Sequence, residues 1–127
     1  MKNTKIEKVL KAWEKGNFEL GLSQAVCHWC RLYADSKDKG FDEIVIGDNV
    51  CIHDCDVKDM IDAAKELKIE YFVFASGFSG AFKSIEKMVE NGARVGKFVV
   101  KEYEHENFKD GEIVKEIVKV PGMRINL

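Results

Sequence analysis

The chain has 127 residues, 46% of them apolar and 33% charged, with one proline and a formal net charge of −2. A chain of this length buries roughly 65–70% of its unfolded surface, enough for one core, while it has no unbroken run of about eighteen apolar residues with which to span a membrane. The near-neutral charge also excludes the concentrated basic footprint of a protein that coats a phosphate backbone.

Residues 1–15 interleave charge with Ile6, Val9, Leu10 and Trp13. No secretory signal is expected there, and a cytoplasmic location is. Charge is unevenly placed: residues 1–40 carry a balance of +3, residues 41–70 of −6 and residues 71–127 of +1. A basic partner would be steered to the middle third, because association follows local potential rather than net charge.

Thr4 and Glu7 have the spacing of a capping box, and Ile6, Val9, Leu10 and Trp13 follow at helical spacing until Gly16-Asn17. From Phe18 to about Ser36 apolar residues occupy more than one face, which predicts a mostly buried helix ended by Gly40. Two short strands are expected at residues 43–46 and 50–53, around the turn-forming Gly47-Asp48-Asn49. Asp56 is placed to cap a helix running to Leu67, with Val57, Met60, Ile61 and Ala64 inward and Asp59, Asp62 and Glu66 outward. Residues 71–75 read as an apolar strand. Ser79 would cap the next helix, with Phe82, Ile85, Met88 and Val89 as its buried stripe and Asn91-Gly92 as its stop. Long strands are predicted at residues 94–103 and 112–120, joined across Lys109-Asp110-Gly111, with Pro121-Gly122 breaking the second. The expected architecture is a single α+β domain over residues 1–127: two N-terminal helices, then ββαβαββ, with a largely antiparallel sheet.

All four cysteines lie between positions 27 and 55, as Cys27-His28-Trp29-Cys30 and Cys51-Ile52-His53-Asp54-Cys55. Two thiol pairs about twenty residues apart, in a chain without a secretory signal, have the spacing of a zinc site. On a helix Cys27 and Cys30 are about 60° apart, so both sulfurs can face one point, whereas His28 looks elsewhere. In a straight strand Cys51 and Cys55 would be about 13 Å apart. Both can bind one ion only if the chain bends near Asp54; otherwise His53 replaces one of them. Cys27, Cys30, Cys51, Cys55 and His53 are thus five candidates for four positions, with the four cysteines preferred. A closed structural zinc would staple the buried helix to the segment before the acidic helix, and its binding energy would become folding energy. Reduced core cysteines and a CxxC redox pair are the competing readings. The redox reading is weakened by an expected mid-helix position for Cys27.

Ser76-Gly77-Phe78-Ser79-Gly80 links a strand to a helix but lacks the GK[ST] ending of a phosphate loop. With three histidines, at 28, 53 and 105, a hydrolytic triad has little material. No catalytic residues are assigned.

The segment Tyr71-Phe-Val-Phe-Ala-Ser-Gly-Phe-Ser-Gly-Ala-Phe, with Glu90-Asn-Gly-Ala-Arg-Val-Gly-Lys-Phe-Val-Val-Lys-Glu-Tyr103, resembles a family of small uncharacterised proteins carried by phages and integrative elements of Gram-positive bacteria. Phe41-Asp-Glu-Ile44 and Met123-Arg-Ile-Asn126 are similar to that family too. In size and setting the chain is similar to anti-CRISPR proteins, some of which block Cas9. The resemblance implies a non-enzymatic protein that binds a host defence effector, concretely Cas9 with its guide RNA; that family does not show the Cys/His cluster, so the metal staple is a local addition resting on these residues alone. The acidic Asp59, Asp62 and Glu66 would face the effector's basic nucleic-acid channel, with no direct contact to nucleic acid. The alternatives are a zinc- or thiol-dependent enzyme acting on a small cytoplasmic substrate, with His53 catalytic, and a non-inhibitory accessory protein of an integrative element.

Overall fold

The computed structural model describes residues 4–14, 23–47, 54–75 and 80–127. Helix α1 is Thr4–Glu14 and α2 is Gln24–Asp38. Ser23 precedes α2 in extended conformation, and its hydroxyl accepts a hydrogen bond from the Val26 N–H at 3.2 Å. That satisfies one orphan donor of the first turn, so α2 starts after Ser23 rather than running through from Phe18; residues 18–22 lie outside the described residues. The Tyr33 hydroxyl donates to the Glu7 carboxylate at 2.5 Å and ties α1 to α2. Gly40, at φ +84°, turns the chain out of α2, a conformation that costs glycine little. Buried Ser36 then joins the helix to the next strand: its hydroxyl donates to the Leu32 carbonyl at 2.8 Å and accepts from the Val45 N–H at 2.9 Å.

Strand β1 is Val45–Ile46, shorter than the expected residues 43–46; the strand expected at residues 50–53 lies outside the described residues. A 3-10 turn at Asp54–Asp56 leads into α3, Val57–Glu66. Asp56 stands at the start of α3 but makes no side-chain cap. The turn before it has already wound its backbone to φ −95° and ψ −12°, whereas a capping carboxylate needs an extended residue there.

Strand β2 is Tyr71–Phe74 and α4 is Ala81–Glu90. Strands β3, Arg94–Lys109, and β4, Glu112–Asn126, complete the chain. The expected cap Ser79 lies outside the described residues.

The sheet order is β1-β2-β4-β3. Strand β1 pairs with β2 in parallel, with α3 as the crossover, and the other two pairings are antiparallel. A parallel neighbour needs such a crossover, which a two-residue hairpin cannot provide. The protein is therefore a mixed α+β domain with a mostly antiparallel sheet, and the described elements follow the order ααβαβαββ rather than ααββαβαββ.

One face of the sheet, through Ile44, Ile46, Phe72, Phe74 and Ile125, meets the buried stripes of the helices. Trp29 sits at the centre. Its ring meets Phe72 edge to face at 5.2 Å, and its indole N–H donates to the Met60 carbonyl at 2.8 Å, so one side chain joins α2, α3 and β2. An indole donor buried without a partner would cost about 1–3 kcal/mol. Helix α4 departs from expectation. Ser84 and Met88 face the core, while Phe82 is 84% exposed and Val89 is exposed as well. Ala81, Ser84, Ile85 and Met88, spaced as i, i+3, i+4 and i+7, make the inward stripe, which leaves Phe82 and Val89 on its flank.

The second face is covered differently. Strands β3 and β4 run well past β2, whose pairing with β4 ends at Phe74 and Met123. Their ribbon reaches back to the segment before β1: Lys101 pairs with Glu43, and the Tyr103 ring meets Phe41 at 5.9 Å. Gly122 lies at this bend. A Cβ there would come within 2.9 Å of Ala75 Cβ and Val73 Cγ1, so only glycine allows the approach. Pro121 does not break β4, which is continuous to Asn126. It stands beyond the end of β2, on an open edge that needs no N–H.

Candidate functional site

The cysteine cluster is described in part. Cys27 is half-buried, Cys30 fully buried and Cys55 exposed; Cys51 and His53 lie outside the described residues. With Ser23 as N-cap, the Cys27 N–H donates to the Ser23 carbonyl at 3.1 Å. Cys27 thus closes the first turn of α2, which corrects the mid-helix position expected for it and removes that objection to thiol chemistry. Cys30 is a poor nucleophile all the same. Burial and the neighbouring Cys27 push its thiol up to about 11, so it is protonated at neutral pH, whereas the thiolate is the reactive form. His28 is held below its ordinary value by burial and by Arg31, with Asp56 opposing them. Asp56 therefore lies within electrostatic reach of the first turn of α2.

Among the described residues no group of three or more His, Cys, Asp or Glu side chains is gathered to hold a metal. Cys27 and Cys30 fit half of a tetrahedral thiolate site, since residues three apart on a helix share a face. The other half would have to come from Cys51, Cys55 and His53, and of these only the exposed Cys55 is described.

The acidic face has the exposure expected of it. Asp59, Asp62 and Glu66 are all exposed on α3, opposite the buried Val57, Met60, Ile61 and Ala64. Asp62 pairs with Lys58 at 2.7 Å, one turn away, a solvent-screened pair that adds little to stability. With Lys65 also exposed on the last turn, the helix carries three carboxylates against two lysines.

The hairpin expected across Lys109-Asp110-Gly111 is present but longer than the sequence suggested. Residues 104–115 are exposed throughout, and β3 continues to Lys109 rather than ending near Tyr103. The strands reverse across Asp110 and Gly111, at φ +52° and +81°. Positive φ at both central residues suits the right-handed twist of a two-residue hairpin. From Glu104 to Lys109 the arm adds about 20 Å of strand.

Phe108 and Ile113 face each other across the ribbon near the tip, 71% and 68% exposed. Ile117 and Val114 are exposed as well. Residues 104–117 carry two lysines against five carboxylates. The arm is thus apolar and acidic at once, held by its own ladder and by ion pairs such as Lys109–Glu116. One signal for it was available: in residues 112–120 the apolar side chains fall on both parities, Ile113 and Ile117 alternating with Val114, Val118 and Val120. A strand with only one buried face does not require that pattern.

No helix among the described residues is long and apolar enough to cross a membrane. A family model described as a domain of unknown function, DUF7698, matches residues 28–127. No curated protein and no solved structure matches the chain.

Proposed function

From the premise that the chain belongs to the DUF7698 family, we propose that it acts without catalysis, as a binding protein of a phage or mobile element that docks on a host defence effector. The concrete form of the proposal is an inhibitor of Cas9 loaded with guide RNA, acting in the cytoplasm of the bacterial host and blocking engagement of nucleic acid.

The observation that carries the reading is the arm. A two-stranded ribbon is marginal in water on its own, yet this one extends beyond its sheet with Phe108 and Ile113 uncovered. Large apolar side chains on an extended element suit insertion into a partner. Charge complementarity supports the choice of partner. The distal arm and the outer face of α3 are both acidic, and Cas9 carries a positively charged channel for its guide–target duplex. Such complementarity steers encounter and fixes register.

Zinc belongs to this proposal as a structural staple, with Cys27 and Cys30 as two ligands and Cys51, Cys55 and His53 as the source of the others. A thiol-dependent enzyme is the second reading, favoured by Cys27 at the first turn of α2, a position where a thiolate gains from the helix N-terminus.

Capture of Cas9–guide complex by immobilised protein, read together with DNA cleavage, tests the proposal. The expected result is stable capture and slowed cleavage. Reversing Asp59, Asp62 and Glu66 to Lys should abolish binding without altering the fold, and replacing residues 104–117 by Asn-Gly should weaken it. Failure to capture Cas9 sinks that partner, and undiminished capture by both variants removes these surfaces from the argument.

A further inference from the structure

Tyr71, Asn126 and Arg94 stand in one row across β2, β4 and β3, since Asn126 is the register partner of both others. Arg124 lies two residues before Asn126, opposite Val73, and so shares their face. Its sequence neighbours Met123 and Ile125 pack against the helices. The row therefore lies on the side of the sheet that the helices do not cover. Arg94 is exposed there, and Tyr71, Arg124 and Asn126 are half-buried.

The Arg124 guanidinium is held in place by the protein itself. Its Cζ lies 3.7 Å from the centroid of the Tyr71 ring, and its Nε–H donates to Asn126 Oδ1 at 2.9 Å. The stacked ring and the bond at Nε fix the plane of the fork. Gly96 in turn seats the Asn126 amide. Val95 pairs with Ile125 and Phe98 with Met123, so Gly96 and Lys97 together oppose Arg124 in a bulge. A Cβ on Gly96 would stand 2.8 Å from Asn126 Nδ2 and 3.3 Å from Arg124 Cβ. Glycine leaves the space that the amide fills.

This end of the sheet is basic although the arm is acidic. Residues 91–101 and 117–127 carry Arg94, Lys97, Lys101, Lys119 and Arg124, and no Asp or Glu. Lys101 is committed to Glu43. Among the described residues no carboxylate pairs with Arg94 or Arg124. Glu70 precedes Tyr71 on the ladder, its carbonyl accepting from the Leu127 N–H at 2.9 Å, and alternation sends its side chain to the other face. With Asn126 Oδ1 taken by Arg124, the groups left to meet a ligand are donors: two guanidinium forks and the Nδ2 amide.

We propose that Arg94, Arg124 and Asn126 form a binding site for the phosphate group of a small phosphomonoester. The two arginines occupy diagonal positions on neighbouring strands, about 7–8 Å apart at the backbone, and their long side chains can close on one tetrahedral oxyanion. Arg124 presents its terminal N–H groups in a fixed plane, which suits bidentate recognition and leaves little freedom to be lost on binding. A phosphomonoester offers three oxygens and close to two charges, and so satisfies more of these donors than a carboxylate does. A nucleic-acid strand fits less well, because residues 104–117, next along the ribbon, carry two lysines against five carboxylates and repel a polyanion.

Titration of isotope-labelled protein with glycerol phosphate at constant ionic strength, followed by NMR, tests this. The expected result is saturable shifts at Arg94, Gly96, Arg124 and Asn126, with a dissociation constant of about 1 mM or below. Arg94→Ala should weaken binding about tenfold, and so should Arg124→Lys, which keeps the charge but loses the stacked fork. Gly96→Ala should weaken it by displacing the amide, with circular dichroism verifying that each variant folds. Absence of saturable shifts in the unaltered protein overturns the proposal. Undiminished binding by Arg124→Lys overturns it too, since the attraction would then be to surface charge in general. Equal affinity for acetate removes phosphate as the ligand class. Tighter binding to a single-stranded oligonucleotide, or to vesicles carrying phosphatidic acid, gives the face to a polymer or a membrane and overturns the small ligand. Cas9 capture rests on the arm and α3 and is read separately.

Discussion

Cys30 and Tyr33, three residues apart on α2, hold their protons more tightly in the folded protein than in the unfolded chain. Burial and Cys27 raise the thiol from 9.0 to about 11; burial and the bond to Glu7 raise the phenol from 10.0 to about 12. A pKa raised by folding gives stability that is complete below the unfolded value and lost as pH climbs through the folded one. The thermal midpoint of the metal-free protein is therefore expected to fall from pH 9 upward, and Cys30→Ala with Tyr33→Phe to flatten the decline; a zinc-bound Cys30 would have no proton to lose. A midpoint level from pH 9 to pH 11 in the metal-free, unmutated protein contradicts this. His28 works on the acid side. Its lowered value means that stability present above pH 6.5 is lost as pH falls through the folded value. At this scale the apolar positions of α2 were legible, but its start was not: Leu20 and Leu22 continue the helical pattern upstream, and only the Ser23 hydroxyl, committed to the Val26 N–H, marks the boundary.

Among the elements, α4 and the β3–β4 ribbon separate burial from hydrophobicity. Met88 is 2% exposed in the core and Ile113 stands open near the ribbon tip. Met88→Ala is expected to cost about 2–5 kcal/mol through lost burial and a cavity. Ile113→Ala should cost no more than about 1 kcal/mol, the scale of one cross-strand contact. Urea unfolding of both variants measures the difference, and equal losses would mean that the arm is part of the core. Helical spacing placed Phe82 and Val89 on the buried stripe with Ile85 and Met88. Two overlapping stripes fit the helical spacing, and the one that packs inward is Ala81, Ser84, Ile85 and Met88, with Phe82 and Val89 left on its flank. The strands were legible as strands from their apolar content. Their lengths were not, because Glu102, Glu104 and Glu106 read as a solvated end rather than as one exposed face of a continuing ladder.

For the molecule as a whole, the proposed zinc would tie α2 to the segment before α3. Elemental analysis of untreated, folded protein is expected to find one zinc per chain, and a chelator to lower the thermal midpoint, because metal bound only by the folded state adds its binding energy to stability. Protein that is folded, free of zinc and indifferent to chelator rules out the staple and leaves Cys30 as a core residue.

The amino-acid sequence was sufficient for the α+β class, four helices near their observed places, the inward faces of α1 to α3, the exposed Asp59, Asp62 and Glu66, and the tight reversal at Asp110-Gly111. These follow from local periodicity and turn chemistry, which act over a few residues. Tertiary structure alone decided that β1 pairs with β2 in parallel, that β4 lies between β2 and β3, that the ribbon bends back at Gly122, and which part of it remains uncovered. Those outcomes depend on which surfaces compete for the same side of the sheet, a question settled between residues such as Phe41 and Tyr103, sixty-two positions apart.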